Sequence, residues 1–89
     1  MAWTNVGEMV TLAPGEAVTW TYSFAGLADQ GVQFAHANPQ ASPAALGIAI
    51  ASDQGFQVVG INQTVYRVTI TNIDPASAVR HNLRGGGVT

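Results

Sequence analysis

The chain contains no lysine, no cysteine and few charged residues of either sign. Three arginines and five acidic residues make up 9 % of its 89 residues, whereas an ordinary soluble domain carries about a quarter charged residues. Its surface must therefore be built largely from neutral side chains. Because a domain of this size still exposes much of its surface, we expect partner subunits or a ligand to cover part of it.

These absences exclude several classes of function. Without cysteine the chain can form no disulfide and no zinc site built on thiolates. A net charge of -2 with three arginines offers no basic patch for nucleic acid. No apolar run approaches the roughly 20 residues that a membrane helix requires. We recognise no signal-peptide pattern at the start of the sequence, and the cellular compartment stays unknown. No motif indicates a cofactor.

The hydrophobic residues instead recur with a period of two. In Val18–Phe24, large apolar side chains alternate with small polar ones, as in a half-buried strand. The pattern predicts a single domain, residues 1–89, with seven strands near 4–12, 16–24, 31–37, 46–52, 56–60, 64–72 and 78–84. We therefore expect an all-β fold, a two-sheet antiparallel β-sandwich of immunoglobulin-like or jelly-roll type, with a small barrel as the alternative. No helix longer than two turns is expected.

Glycine, proline and aspartate mark the breaks between these strands. Ala13–Glu16 (Ala-Pro-Gly-Glu) fits a type II turn, and Asp53–Gly55 fits a three-residue hairpin loop. Asp74–Ser77 fits a four-residue loop built on a type I turn. The longest loop, 38–45, is predicted to cross between the sheets. Gly85–Gly87 is predicted to end the last strand.

Catalytic signatures are weak throughout the chain. The Gly-x-Ser-x-Gly motif that presents a nucleophilic serine is absent. The acidic residues fall mostly in turns, where aspartate is common, and do not suggest a carboxylate pair for glycoside hydrolysis. His36 and His81 are far apart in sequence, and no acidic loop indicates a calcium site. We therefore expect neither enzymatic activity nor a metal.

Four residues are candidates for binding a neutral ligand: Trp3, His36, Asn38 and Gln40. Trp3 is either part of the core or an exposed platform on which a sugar ring could stack. His36 lies on the apolar face of its predicted strand, and it and His81 are interpreted first as boundary histidines with satisfied hydrogen bonds. Their alternative role is to bind a polar ligand at the rim of the sheets. Asn38 and Gln40 offer amides in the long loop.

The predicted register of the last hairpin brings the arginines together. If Asp74–Ser77 joins two paired strands, Arg67 lies opposite Arg84, and Arg80 and Asn82 share the same face. Two like charges directly opposite destabilise a sheet. Either both side chains bend into water, or a carboxylate of a partner subunit or an anionic ligand lies between them. These four residues are the candidates for an interface or anion site.

The composition and pattern favour a non-enzymatic binding module that acts as a homo-oligomer. The first, third and last predicted strands carry few of the lysines and prolines that guard sheet edges. Within this class we expect a lectin-like glycan binder, because several weak sites in one oligomer gain avidity. The alternative is a structural or decoration protein that acts through protein–protein contacts. A lectin requires a concave cluster of polar and aromatic residues, whereas an assembly protein requires only complementary faces.

Overall fold

A computed structural model describes residues 2–39 and 47–88, which form two three-stranded antiparallel sheets. The strands in chain order are β1 (Ala2–Leu12), β2 (Ala17–Tyr22), β3 (Val32–Pro39), β4 (Ala49–Gly60), β5 (Gln63–Asn72) and β6 (Val79–Val88). Within these ranges the only helical element is a 3-10 turn at Ala25–Leu27. The predicted absence of longer helices is confirmed for this part of the chain.

The core lies between the two sheets. Sheet A has the strand order β1-β6-β3, and sheet B has the order β2-β5-β4. The buried apolar side chains form one cluster drawn from both sheets: Leu12, Ala35, Val79 and Leu83 from sheet A, and Tyr22, Tyr66, Val68 and Ile70 from sheet B. The predicted all-β class and the two antiparallel sheets are confirmed.

Strand β4 replaces two of the predicted strands, so the described ranges contain six strands rather than seven. Where a hairpin loop was predicted, Asp53 takes a φ of 48° and the pairing with β5 shifts between Ser52 and Gly55. A residue of positive φ and a glycine suit a β-bulge as well as a turn. The chain therefore stays paired with β5 and reverses later, where Asn62 takes a φ of 57°.

The predicted hairpin between the last two strands is wrong. β5 pairs with β2 on one side and with β4 on the other, so neither of its edges is left for β6. The predicted turn chemistry is present, because Asp74 Oδ1 accepts hydrogen bonds from the amides of Ala76 (2.8 Å) and Ser77 (2.7 Å). This turn carries the chain from sheet B to sheet A. The last strand is consequently the central strand of sheet A, not an edge.

A fully buried amide at the end of β5 anchors this crossing. Asn72 Nδ2 donates hydrogen bonds to the carbonyls of Leu12 (3.0 Å) and Ser77 (2.9 Å). Its Oδ1 accepts the amide of Asp74 at 2.9 Å, and its main-chain carbonyl accepts the amide of Gly15. Two of the places where the chain passes between the sheets, after β1 and after β5, therefore meet at Asn72.

The first of these crossings has the predicted type II geometry. Gly15 takes a φ of 83°, and the amide of Glu16 donates to the Ala13 carbonyl at 3.0 Å. The Glu16 carboxylate in turn accepts the amide of Ala13 at 2.6 Å. The expectation for this turn is confirmed.

The glycine run Gly85–Gly87 lies inside β6 and pairs with both neighbouring strands, rather than ending the last strand. A Cβ atom at Gly85 would come within 2.8 Å of the Tyr22 ring. A Cβ atom at Gly87 would overlap the main-chain carbonyl of Gln30. These glycines leave the space into which an aromatic ring of sheet B and the segment before β3 fit.

Candidate functional site

A groove of about 470 Å³ opens where the beginning of β3 faces the second half of β4. We call it the lateral groove. Its inner wall is formed by Tyr22, Thr64 and Tyr66. Its rim carries one aromatic, two aliphatic and several polar side chains: Asp29, Val32, Gln33, Gln54, Phe56, Val58 and Arg67.

An aromatic cluster supports the inner wall. Tyr22 and Tyr66 are register partners on β2 and β5, and their rings stack with centroids 5.5 Å apart and planes at 30°. Phe24 meets both rings edge-on at 6.1 Å. The alternation of both strands places these rings on the buried face, and Gly85 opposite leaves room for Tyr22. The wall is therefore formed by aromatic rings that pack on one another.

Hydrogen bonds from the two tyrosines fix the polar rim. The Tyr66 hydroxyl donates to Asp29 Oδ1 at 2.8 Å and accepts the amide of Gln30 at 3.0 Å. The Tyr22 hydroxyl donates to Gln33 Oε1 at 3.2 Å. The amide of Gly31 also donates to Asp29 Oδ1, at 2.8 Å. The carboxylate and the amide are thus held in place before any ligand arrives.

The charge states of these groups follow from the same contacts. The hydrogen bond from Tyr66, together with that from the Gly31 amide, lowers the pKa of Asp29, so this exposed carboxylate stays ionised. Burial raises the pKa of Tyr22 to about 12 and also raises that of Tyr66. Both hydroxyls therefore keep their protons at neutral pH. The groove offers one fixed anion, neutral hydrogen-bonding groups and, at Arg67, one cation.

Two apolar side chains of β4 remain exposed on the rim. Phe56 and Val58 pair with Tyr66 and Thr64, so they lie on the face of sheet B that elsewhere packs on sheet A. They are nevertheless 68 % and 63 % exposed, because sheet A does not cover this end of sheet B. An aromatic ring held on a strand and open to solvent is a surface on which a flat apolar face can stack.

Replacing Gly85 by alanine should damage the groove and lower the free energy of unfolding by about 1–3 kcal/mol, because the new methyl group meets the packed Tyr22 ring. Chemical denaturation and the near-ultraviolet circular dichroism of the aromatic cluster measure both effects. Gly55→Ala is the matched control, since a Cβ atom there would meet only Arg67 Nε at 3.8 Å. Equal losses in the two variants would contradict the interpretation of Gly85.

The outer face of sheet A carries a second polar cluster, which we call the outer-face network. Asn38 Nδ2 donates to Asn82 Oδ1 at 2.7 Å, and Arg84 Nη2 donates to Asn38 Oδ1 at 2.9 Å. Asn82 Nδ2 donates to the Gly7 carbonyl, and Arg84 Nε donates to Asn5 Oδ1 at 3.4 Å. The two asparagine amides of this network are thus engaged with each other, with Arg84 and with the main chain.

Several predicted ligand-binding residues fall beside this network. His36 pairs in register with Arg84, and Asn38 is a member of the network. The backbone of Trp3 pairs with Gly86 in the next row of sheet A, but its side chain lies outside the described part. Gln40 also lies outside the described residues. The structure therefore places His36 and Asn38 together on the outer face of sheet A, and not in the lateral groove.

Both histidine interpretations need correction. His36 is exposed on the outer face rather than on the apolar one, and its Nδ1 donates to the Ala37 carbonyl at 3.0 Å. The buried face of β3 instead carries small side chains such as Ala35. Small side chains fit on this face because sheet B supplies the bulky residues of the core. The larger side chains of β3, including His36, therefore face outward. The prediction from the sequence placed these larger side chains in the core.

His81 is not a boundary residue but fully buried. Its Nε2 accepts the indole N–H of Trp20 at 3.2 Å, and the two rings meet edge-on at 5.8 Å. Within the described part, its Nδ1 has no hydrogen-bond partner. Burial lowers the pKa of His81. The Val10 carbonyl acts in the opposite direction, although it does not complete a hydrogen bond to Nδ1.

The predicted Arg67–Arg84 pair is also wrong, because the two strands lie in different sheets. Arg67 is exposed on sheet B beside Thr21 and Gly55, and Arg84 lies on sheet A within the outer-face network. Arg80 is exposed at the edge of that face, opposite Thr11. Of the predicted interface set, Asn82 and Arg84 come together, and Arg67 instead reaches the lateral groove.

Apart from Arg67, the residues of the lateral groove are not among the predicted site residues. The alternation in Val18–Phe24 places Tyr22 on the inward face, but its contact with Gln33 depends on the pairing of strands distant in sequence. Asp29 is one of the acidic residues expected in turns, and it does lie in one, because its side chain accepts the amide two residues later. The predicted hairpin at Asp53–Gly55 concealed Phe56, which a continuous bulged strand would have placed beside Tyr66.

No protein-family model matches the chain, and no curated protein or solved structure is significantly similar to it. Among the described residues, no group of three or more histidine, aspartate or glutamate side chains is arranged to hold a metal ion. In the same ranges, no helix has the length and apolar character needed to cross a lipid bilayer. The geometry of the groove is consequently the guide to function.

Proposed function

We propose that the protein is a non-enzymatic, lectin-like module that binds a neutral glycan in the lateral groove. The observation that supports this most directly is an exposed aromatic ring beside fixed hydrogen-bonding groups in one concavity. Sugar rings present C–H faces that pack on aromatic rings, and their hydroxyls require polar partners at the edge. Phe56 offers the first kind of contact, and Asp29, Gln33 and Gln54 offer the second.

The size and charge of the groove favour a small neutral ligand. Its volume of about 470 Å³ falls within the roughly 300–1,000 Å³ of typical small-molecule sites. Asp29 and Arg67 contribute opposite charges to its rim, so no net field selects an anion or a cation. The ionised Asp29 accepts hydrogen bonds only, which suits the hydroxyl donors of a sugar.

The same residues favour binding over catalysis. Glycoside hydrolysis uses two carboxyl groups on either side of the scissile bond. Among the described residues that line the groove, Asp29 is the one that carries a carboxylate. Tyr22 and Tyr66 hold their protons through burial and are poor general bases. We propose further that the two sheets form a β-sandwich, whose immunoglobulin-like or jelly-roll type stays a prediction.

A glycan array followed by isothermal titration tests the proposed site. Phe56→Ala should weaken binding of the selected glycan by about 10- to 100-fold through loss of the stacking surface. Asp29→Asn should weaken it as well, because the amide replaces a fixed acceptor by a group that also donates. Ile61→Ala is the control, since Ile61 is equally apolar and 93 % exposed but does not line the groove.

The residues beside the outer-face network provide the competing site. His36→Ala changes an exposed side chain of that face and leaves the lateral groove intact. Loss of glycan binding in His36→Ala with unchanged binding in Phe56→Ala would place the site on sheet A. Absence of any glycan ligand across the array, with the fold confirmed by circular dichroism, would contradict the lectin proposal as a whole.

Exposed apolar side chains favour one alternative, a structural or decoration protein that acts through protein–protein contacts. The hairpin between β4 and β5 exposes Val59 (47 %) and Ile61 (93 %) besides the rim of the groove. Ile48, Ile50 and Ile73 are also about half exposed at the other end of sheet B. Patches of this kind mark protein interfaces in many proteins. Array-negative protein that is captured by a defined partner through this hairpin would support the alternative.

A further inference from the structure

We propose that β2 is a self-association edge, along which two copies of the chain pair antiparallel across a twofold axis. The edge lies in the same sheet as the lateral groove. Tyr22, the last residue of β2, lines the groove, but the exposed Ala17, Thr19 and Thr21 do not. Self-association through this exposed row and glycan binding therefore use different surfaces, and either can hold without the other. The proposal follows from a comparison of the four edge strands that the two sheets expose.

Two of these edges are interrupted. In β1 the register with β6 breaks between Val6 and Val10, and the charged Glu8 lies in that break. In β4 the register with β5 breaks at the bulge that contains Asp53. Bulges and charged residues are the devices by which natural sheets block edge-to-edge pairing. Neither strand presents a straight, neutral row of main-chain groups.

A third edge is partly occupied. On β3 the His36 ring already donates to the main-chain carbonyl of Ala37, and Pro39 ends the strand without an amide hydrogen. The remaining edge, β2, has none of these guards. Its register with β5 is unbroken from Ala17 to Tyr22, and this segment contains no charged residue and no proline.

The hydrogen-bonding pattern of β5 shows which main-chain groups of β2 face outward. The Asn72 amide donates to the Glu16 carbonyl at 2.9 Å, so this carbonyl faces β5, while the Glu16 amide turns to the Ala13 carbonyl. Because bonded and non-bonded pairs alternate in an antiparallel ladder, Ala17, Thr19 and Thr21 direct their N–H and C=O groups away from β5. Their side chains are exposed and small.

This outward row is complementary to itself. With the axis at Thr19, the two Thr19 residues face each other and Ala17 faces Thr21 of the second copy, giving about six main-chain hydrogen bonds. On the other face, Trp20 then lies opposite Val18 of the second copy. Threonine pairs and aromatic–β-branched pairs are favourable cross-strand neighbours. No like charges meet, because this segment carries none.

The resulting assembly keeps both binding sites open. β2 and β4 are the two edges of sheet B, so pairing at β2 produces a six-stranded sheet with a lateral groove at each outer edge. The two outermost strands are separated by five interstrand spacings, roughly 24 Å. A six-residue edge buries less area than a standard protein interface of about 1,600 Å², so we expect a reversible dimer whose population depends on concentration.

Sedimentation equilibrium over a wide concentration range tests the proposal on the full chain. Wild type should shift from one to two chains per particle as concentration rises. Thr19→Lys should weaken dimerisation by about tenfold or more, since two ammonium groups would meet at the axis. Thr69→Lys is the matched control: Thr69 lies on the same face, one strand inward, with its hydroxyl 3.1 Å from that of Thr19. It should leave the dimer intact.

A cysteine scan gives an independent measurement, because the native chain has no cysteine. Thr19→Cys should oxidise to a covalent dimer, and Thr69→Cys should not, since bonded partners lie about 5.5 Å apart between Cα atoms, within disulfide range. A wild-type monomer at the highest concentration, or equal behaviour of the position 19 and position 69 variants, would overturn the proposal. Glycan titration of Thr19→Lys keeps the two proposals distinct, because single-site binding should be unchanged.

Discussion

Replacing Asn72 by alanine should lower the free energy of unfolding by about 3 kcal/mol, since each buried polar group left without a partner costs about 1–3 kcal/mol. The truncated side chain would leave three groups without their hydrogen bonds, the carbonyls of Leu12 and Ser77 and the amide of Asp74. A domain of this length has a total stability of roughly 4–13 kcal/mol. The loss is therefore a large part of what holds the fold, and urea denaturation measures it.

Asn38→Ala is the control for this effect. Asn38 also donates and accepts side-chain hydrogen bonds, but it lies half-buried on the outer face of sheet A, where water can replace them. Its loss should cost less than about 1 kcal/mol. Asn72→Asp should be at least as damaging as Asn72→Ala, because a carboxylate would face two carbonyl oxygens. Similar stabilities of the Asn38 and Asn72 variants would contradict the anchoring role of Asn72.

Acidification from about pH 7.5 to about pH 5 should destabilise the protein, because His81 is neutral in the folded state. Its folded pKa lies below the usual value of 6.5, chiefly through burial. As pH falls through 6.5 the unfolded chain takes up a proton that the folded chain does not, so unfolding becomes more favourable. The stabilising contribution of neutral His81 is fully present above pH 6.5. It is lost as the pH falls toward the pKa that His81 has in the folded state. Urea midpoints across this interval measure the slope.

His81→Gln should flatten this pH dependence while lowering stability at neutral pH. His36→Gln is the matched control, because it removes a histidine and leaves His81 in place. Asp29 does not interfere, because its pKa is lowered from the usual 3.8 and its contribution is lost only in more acidic solution. A slope that survives in His81→Gln, or disappears in His36→Gln, would show that His81 is not the group responsible.

The β-rich pattern and the turns at Ala13–Glu16 and Asp74–Ser77 could be predicted from the sequence, because they depend on neighbours close along the chain; the bulge at Asp53–Gly55 has similar local chemistry to a turn and was mistaken for one. Alternation in Val18–Phe24 and the Pro-Gly pair at Ala13–Glu16 carry that information locally. The assignment of strands to sheets could not be predicted in the same way. Asp74–Ser77 has the same turn chemistry whether the chain folds back beside β5 or crosses to the other sheet. The choice depends on β2 and β4, which occupy both edges of β5.

The candidate site was harder to predict, because it depends on which face of each strand is buried. On β3 the larger side chains of the alternating pattern, including His36, turn outward, and Ala35 turns inward. The groove residues Asp29 and Phe56 come from segments that are distant in sequence and approach only after both sheets have formed. Composition indicated a neutral binding surface, which remains a proposal, but it contained no information about where that surface lies.

The central position of β6 has a consequence for synthesis in the cell. Sheet B can pair once β5 has left the ribosome, whereas β1 and β3 both pair with β6, which follows the other five described strands. Translation proceeds at about 5–20 residues per second, so a nascent chain carries two strands with unoccupied hydrogen-bonding edges until β6 emerges. Sheet A is therefore completed after sheet B, and β1, although it is made first, waits longest for its partner.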